Sequence, residues 1–154
     1  LAAILTICLS ITGIYDFAVI VKGNGPGRRV AVNMNSDLTS WLAEHLDKND
    51  LLLTPEYSMN EVTMSGVMLY CGWPYYAWSA GYDTNYRAAQ AVTIYTTSDS
   101  ETLKSTVKQE KITYILFEEG SEFEQQVCQE ETIAATYKKV YETQDGRIRI
   151  YKTN

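Results

Sequence analysis

Short apolar runs alternate along this chain with stretches in which apolar residues recur every three or four positions. The short runs predict β-strands at residues 29–33, 50–54, 67–71 and 112–117. The periodic stretches predict helices at residues 37–46, 59–64, 83–96, 99–109 and 122–129. The run at 50–54 is apolar on both faces, which is typical of a parallel strand with helices on either side.

The C-terminal part of the chain carries a hairpin pattern. Residues 138–142 and 147–152 predict two strands joined by Gln144-Asp145-Gly146, and Asp-Gly is a strong turn signal. Strands that alternate with helices favour a mainly parallel sheet. The sequence therefore predicts a three-layer, Rossmann-like α/β domain with a mostly parallel sheet and a C-terminal antiparallel hairpin at its edge.

The chain begins with an apolar run at residues 1–14 that contains no charged residue. We interpret it as the C-terminal end of a transmembrane helix, with a buried core helix as the alternative. The domain boundaries expected are a helix end and membrane-proximal segment at 1–21, a glycine-rich linker at 22–28 and a soluble domain at 29–154. The chain is therefore expected at the cell membrane.

The composition and net charge argue against several classes of function. The net charge of -6 argues against a nucleic-acid partner, which needs a basic face. Only one histidine is present, and the three cysteines, Cys8, Cys71 and Cys128, form no C-x-x-C pattern. No metal or other cofactor is therefore expected. A Cys71–Cys128 bridge is possible, but buried free thiols are favoured because cysteine is commonly buried.

The candidate site is an aromatic loop that follows the third predicted strand. Gly72 and Pro74 break the strand pattern, and a helix is expected from residue 83. Ligand-binding loops of open α/β sheets collect at the C-terminal ends of strands. We expect these residues to line one surface there: Glu56, Asn60, Trp73, Tyr75, Trp78, Tyr82, Asp83 and Arg87.

Several short motifs carry a family resemblance over nearly the whole chain. They are Trp41-Leu42, Asp50-Leu-Leu-Leu-Thr54, Tyr70-Cys-Gly-Trp73, Trp78-Ser-Ala-Gly-Tyr-Asp83 and Ile112-Thr-Tyr-Ile-Leu. Together they resemble the C-terminal soluble domain of bacterial multi-pass membrane glycosyltransferases of the GT-C class. Ala80 stands where that family commonly has a histidine, which weakens a catalytic role for the loop.

The resemblance implies sugar transfer from a polyprenyl-phosphate donor outside the cytoplasmic membrane. It places the catalytic acidic residues on a loop that this sequence lacks, so no catalytic residue is expected here. The chain would be an extracytoplasmic accessory domain that assists donor or acceptor binding, or stability. Its expected partners are its own transmembrane module and a lipid-linked sugar or glycan acceptor. The alternative is a membrane-anchored binding or interaction module with no enzymatic role.

Within that resemblance, the aromatic rings can stack on sugar faces or rest against the membrane module. Arg87 can hold a phosphate through its planar guanidinium. The alternative is structural: the rings pack the loop onto the domain, and Asp83 caps a helix. A carboxylate pair drawn from Glu56, Glu61 and Asp83 for glycoside hydrolysis is a weaker alternative.

Overall fold

The computed structural model describes residues 2–23, 33 and 35–154. The chain divides into two compact units, residues 1–32 and 33–154. The first unit contains helix α1, Ala2–Gly23. Within the described ranges, no helix is both long and apolar enough to cross a membrane. Residues 29–32 of the first predicted strand lie outside the described residues, and Asn33 has no regular structure.

The second unit contains both a mixed sheet and the helices that cover it. Its helices are α2 (Asp37–His45), α3 (Asn60–Met64), α4 (Pro74–Ser79), α5 (Asn85–Thr96), α6 (Ser100–Gln109) and α7 (Glu131–Thr136). Its strands are β1 (Leu51–Leu53), β2 (Met68–Leu69), β3 (Tyr114–Glu118), β4 (Glu122–Phe123), β5 (Gln126–Val127), β6 (Lys138–Glu142) and β7 (Ile148–Lys152).

The main sheet has the strand order β2-β1-β3-β7-β6. Strand β1 pairs in parallel with β2 and β3, while β7 is antiparallel to both β3 and β6. This confirms the α/β prediction with an antiparallel hairpin at the edge of the sheet, and the strands predicted at 50–54, 67–71 and 112–117 are adjacent and parallel. The Rossmann-like part of the prediction stays a prediction. The hairpin turns where expected, with Gly146 at a φ of 71° that glycine adopts without strain.

Each face of the sheet buries its own hydrophobic cluster, so the unit has three layers. Along β3, Leu116 packs toward α2 and α3, whereas Ile115 packs toward α5, α6 and α7. This split follows from the period of two residues in a strand. On α2, Leu38 and Leu42 recur at the helical spacing and contribute to the cluster that contains Leu116. Full burial of such a side chain stabilises the fold by about 1.5–3 kcal/mol.

The helix predicted at residues 122–129 is wrong. The segment forms the two-stranded sheet β4–β5, whose turn residues Glu124 and Gln125 have φ values of 45° and 64°. Phe123 and Val127 are spaced as on a helix, but only Phe123 is buried, against the ring of Tyr95. Two left-handed residues in succession are incompatible with a helix and typical of a tight hairpin.

Ser98 and Glu101 have the spacing of a capping box, which predicts Ser98 as the N-cap of α6. The structure corrects this: Asp99 caps α6, because its carboxylate accepts hydrogen bonds from the backbone N–H groups of Glu101 and Thr102. Helix α7 was not predicted from the sequence. By contrast, Ser36 caps α2 as its type suggests, with its hydroxyl accepting from the Thr39 N–H.

Cys128 is buried, Cys71 is partly buried, and both are free thiols.

Candidate functional site

The aromatic loop after β2 folds into a short helix rather than remaining irregular. Gly72, at a φ of 55°, turns the chain out of the strand, and Pro74 occupies the first turn of α4. A Cβ on Gly72 would lie 3.3 Å from the Leu69 side chain. None of the residues of α4 is buried. The loop thus presents its aromatic residues at the surface instead of filling the core with them.

Exposed rings of this loop, together with Tyr57 from the segment after β1, contact one another in a continuous group that we call the ring cluster. Its members are Tyr57, Trp73, Tyr75, Tyr76 and Trp78. Trp73 is central, with ring centroids 5.1 Å from Tyr76, 5.6 Å from Tyr75 and 5.9 Å from Tyr57. Trp73 is 37% exposed and Trp78 is 64% exposed. Such contacts hold the rings in place while leaving much of their area accessible.

A cavity of about 280 Å³ opens beside the ring cluster. Its lining residues are Glu56, Tyr57, Met59, Asn60, Thr63, Trp73 and Tyr76. The carboxylate of Glu56 accepts a hydrogen bond of 3.1 Å from the backbone N–H of Glu124, in the β4–β5 turn. The Glu56 charge, together with burial and a hydrogen bond, raises the pKa of Tyr57. The cavity therefore combines aromatic walls with a carboxylate and an amide.

Arg87 and Asp83 form hydrogen bonds with the backbone at the ends of secondary-structure elements. The guanidinium of Arg87 donates a hydrogen bond of 2.8 Å to the Tyr70 carbonyl and lies 5.2 Å from the Tyr70 ring centroid. Asp83 accepts a hydrogen bond of 3.0 Å from the N–H of Asn85, at the start of α5. One guanidinium group has five N–H donors, so this contact leaves Arg87 able to bind an anion as well.

A hydrogen-bonded network behind the loop was not predicted from the sequence. The Glu110 carboxylate accepts hydrogen bonds of 2.7 Å from the hydroxyls of both Tyr70 and Tyr86, and Gln109 donates to the Tyr86 oxygen at 2.8 Å. Partial burial opposes the Glu110 charge, but these hydrogen bonds outweigh it and lower the pKa of Glu110. Burial also raises the pKa of Tyr70. The network ties the end of β2 to α5 and α6.

The structure brings part of the predicted site together. Glu56, Asn60 and Trp73 share the cavity, and Tyr75 and Trp78 extend the ring cluster. Tyr82 is 70% exposed, and neither it nor Asp83 and Arg87 lines that cavity. Sequence reasoning missed Tyr57 and Tyr76. The spacing of three residues from Trp73 to Tyr76 would have indicated the second. A binding role for any of these residues stays a prediction.

The carboxylates considered for hydrolysis lie in different places. Glu61 lines a separate cavity of about 500 Å³ with Ser36, Asp37 and Arg147 among its neighbours, whereas Glu56 lines the cavity beside the rings. In the part of the chain that the structure describes, no group of three or more His, Cys, Asp or Glu residues is placed to hold a metal ion. Glu56 and Glu61 therefore do not share one cavity.

Comparison with known proteins gives a likeness of fold. No protein-family model matches the chain. No curated protein sequence matches it either. The structure is similar to the crystal structure of the C-terminal globular domain of an oligosaccharyltransferase from Archaeoglobus fulgidus, with a TM-score of 0.57 and 10% sequence identity. The match covers 82% of this chain and all of that domain (100%). At this identity the likeness shows that the two share a fold.

Proposed function

We propose that this chain is the C-terminal accessory domain of a membrane glycosyltransferase-like protein of the GT-C class, and that its ring cluster binds a glycan or lipid-linked sugar. The fold likeness to the globular domain of an oligosaccharyltransferase supports this proposal, as does the motif resemblance. The observation that carries it is the group of exposed, mutually contacting rings beside a cavity that contains a carboxylate and an amide.

Carbohydrates fit such a surface for physical reasons. One face of a sugar ring presents C–H groups, which pack against an aromatic ring, while its hydroxyls need hydrogen-bond partners. Trp73 and Tyr76 supply ring surface in the cavity, and Glu56 and Asn60 supply an acceptor and a mixed donor–acceptor. Contiguous exposed apolar patches on soluble proteins commonly mark binding sites. The catalytic residues would belong to the transmembrane module of the same protein.

The indole N–H groups of Trp73 and Trp78 make the proposal testable by NMR. The chain has three tryptophans, so its indole N–H groups give a countable set of signals. We expect chitobiose or cellobiose to shift the signals of Trp73 and Trp78. Trp41 is the internal control, because it stacks on His45 at 4.5 Å, on α2 and outside the ring cluster. Equal shifts of all indole signals, or none with any disaccharide tested, would contradict the proposal.

A protein partner is the second candidate for the same surface. Tyr75 and Trp78 of the ring cluster are 55% and 64% exposed, and aromatic residues are enriched at protein interfaces. If this surface rests against the transmembrane module instead of binding sugar, disaccharides should shift none of the indole signals. Trp78→Ala in the full-length protein should then weaken the association between this surface and the module. Co-purification of the separately expressed module with the parent and variant domains measures this.

We also propose that α1 contacts lipid and that the second unit lies outside the cytoplasm. The apolar side chains of Ile14, Phe17 and Ile20 are 69%, 68% and 59% exposed on α1. Lys22 follows in the last turn and by itself favours the opposite orientation. Reporter fusions at residue 154, one active only in the cytoplasm and one only outside, test the orientation. Activity of the cytoplasmic reporter would refute it.

A further inference from the structure

The cavity beside the ring cluster contains a carboxylate that has no cationic partner. Glu56 is half-buried and lines the cavity together with Tyr57, Trp73 and Tyr76. Among the described residues that line this cavity there is no Lys, Arg or His. None of the ion pairs between described residues includes Glu56. One uncompensated negative charge therefore stands among aromatic rings, which is more than the binding of a neutral sugar requires.

The Glu56 carboxylate is held in place by neutral groups. One oxygen accepts a hydrogen bond of 3.1 Å from the backbone N–H of Glu124, and the Tyr57 hydroxyl also hydrogen-bonds to the carboxylate. These contacts orient the carboxylate but leave its charge uncompensated. An ionised carboxylate has about four lone-pair sites, so it can accept further hydrogen bonds from a ligand.

The rings beside Glu56 stand at steep angles to one another. The plane of the Trp73 ring lies 62° from that of Tyr57 and 76° from that of Tyr76, with centroids 5.9 Å and 5.1 Å apart. The face of an aromatic ring attracts a cation within about 6 Å of its centroid, because the face carries the negative part of the quadrupole. Rings that meet at such angles can face one cation together, as they do in the aromatic cages that bind ammonium ligands.

Positive charge near the cavity does not cancel that of Glu56. Arg87 does not line the cavity, and its guanidinium donates to the Tyr70 carbonyl. Helices α3 and α4 begin beside the cavity, and a helix N-terminus carries a partial positive charge. These helices have only five and six residues, and Glu61 lies in the first turn of α3. The cavity therefore keeps a negative charge that favours a cationic ligand.

Resting on the proposed function, we propose that the sugar bound at the ring cluster is an amino sugar with a free, protonated amine. Its ammonium group donates to the Glu56 carboxylate and lies against the rings of Trp73 and Tyr76, while a sugar hydroxyl meets Asn60. A sugar with a hydroxyl or an acetylated amine at that position is neutral, so it lacks both the charge-assisted hydrogen bond and the cation–π attraction. A sugar carboxylate is repelled by Glu56.

Glucosamine, N-acetylglucosamine, glucose and glucuronate are matched probes for the 154-residue chain. They are titrated at about pH 6, where an aliphatic amine is protonated and a carboxylate is ionised. The Trp73 indole signal reports binding, and the Trp41 signal remains the internal control. We expect glucosamine to bind about tenfold more tightly than glucose or N-acetylglucosamine, and glucuronate to bind most weakly.

Glu56→Gln removes the charge and keeps an oxygen that can accept from the Glu124 N–H. This variant should bind glucosamine and glucose with similar dissociation constants. The matched control is Glu44→Gln, which removes the same charge from an exposed position of α2 outside the cavity and should keep the preference of the parent chain. A preference for glucosamine that survives in Glu56→Gln would overturn the role of Glu56.

The titrations separate this inference from the proposed function. Equal affinity of the parent chain for glucosamine and glucose overturns the inference and leaves sugar binding standing, whereas no saturable shift with any of the four sugars overturns both. A lysine amide with an acetylated α-amine tests whether the amine alone is enough. Binding of this amide as tightly as glucosamine would mean that the cavity recognises a lysine side chain of a protein, and would overturn the assignment to an amino sugar.

Discussion

At the scale of single residues, Glu110 holds the two segments that flank the aromatic loop. Its carboxylate accepts from Tyr70 at the end of β2 and from Tyr86 on α5, while Gln109 donates to Tyr86. Arg87 then holds the Tyr70 carbonyl. These contacts fix the point at which the chain leaves the sheet and enters the aromatic loop, so they position the ring cluster without touching it.

The Glu110 network predicts a pH dependence of stability. The pKa of Glu110 is lowered in the folded chain from its ordinary value of 4.5. A lowered pKa contributes stability that is present above the unfolded value and is lost as the pH falls through the folded value. Between about pH 5 and pH 3, Glu110→Gln should therefore lose less stability than the parent protein. Urea unfolding at stepped pH measures this.

Glu119→Gln is the matched control for that experiment, because the Glu119 side chain is exposed and makes no side-chain hydrogen bond with the described residues. Carboxylates with lowered pKa values elsewhere, such as Asp99 and Asp145, stay in all the proteins compared. Their contribution cancels in the difference. A parallel loss of stability in Glu110→Gln and the parent would show that the network does not favour the ionised carboxylate.

The exposure of the loop tryptophans predicts the cost of removing them. Trp78→Ala should lower the free energy of unfolding by less than about 1 kcal/mol, as is usual at the surface. Trp73→Ala should cost about 1–2 kcal/mol, because Trp73 contacts three neighbouring rings. Tyr95→Ala, at a buried ring, should cost about 3–5 kcal/mol and calibrates the scale. A cost for Trp78→Ala near that of Tyr95→Ala would mean that the loop packs as core.

At the scale of elements, the sequence predicted those whose pattern is local and missed those set by backbone geometry. The run at Leu51–Leu53 and the Asp145-Gly146 turn are readable because apolar runs and Asp-Gly turns are strong local signals. Strand pair β4–β5 was read as a helix, since its turn has neither Gly nor Asn. The same holds for the candidate site. The sequence shows that the loop is rich in aromatic residues, but it does not show which of their rings contact one another.

The unusual β4–β5 turn predicts a stabilising change. Glu124 and Gln125 both have positive φ, a conformation that costs an L-residue about 1–2 kcal/mol and costs glycine little. Glu124→Asn with Gln125→Gly should therefore raise the free energy of unfolding by about 1 kcal/mol. The backbone N–H of residue 124 remains free to donate to Glu56. Equilibrium unfolding in urea gives the difference.

Gln129→Gly is the matched control for the turn, because residue 129 is exposed and does not have a positive φ. Glycine there should destabilise the fold by roughly 0.5–1 kcal/mol, since it only adds freedom to the unfolded chain. If the doubly substituted turn is instead less stable than the parent, the segment does not form the tight hairpin described above.

At the scale of the whole molecule, the second unit presents different chemistry at different places along its sheet. Past the C-terminal ends of β1 and β2 lie the ring cluster and the Glu56 carboxylate. Before β3 lies a separate cavity that Lys104, Lys108 and Lys111 help to line. A three-layer α/β unit can carry both because each face of its sheet has a separate core. The helices between the strands leave both ends of the sheet free for loops.

The final prediction is that residues 33–154 fold without residues 1–32. The unit has two hydrophobic clusters of its own, and among the residues whose burial the structure describes, the buried ones lie between Ser36 and Tyr151. A chain of this length buries enough surface to be stable alone. Removal of residues 1–32 should therefore change the melting temperature by less than about 3 °C, a shift that corresponds to about 1 kcal/mol or less in a domain of this length. Circular dichroism and a dispersed amide NMR spectrum measure the outcome. A truncated chain that melts more than about 10 °C lower, or gives a collapsed spectrum, would show that residues 1–32 belong to the folding unit.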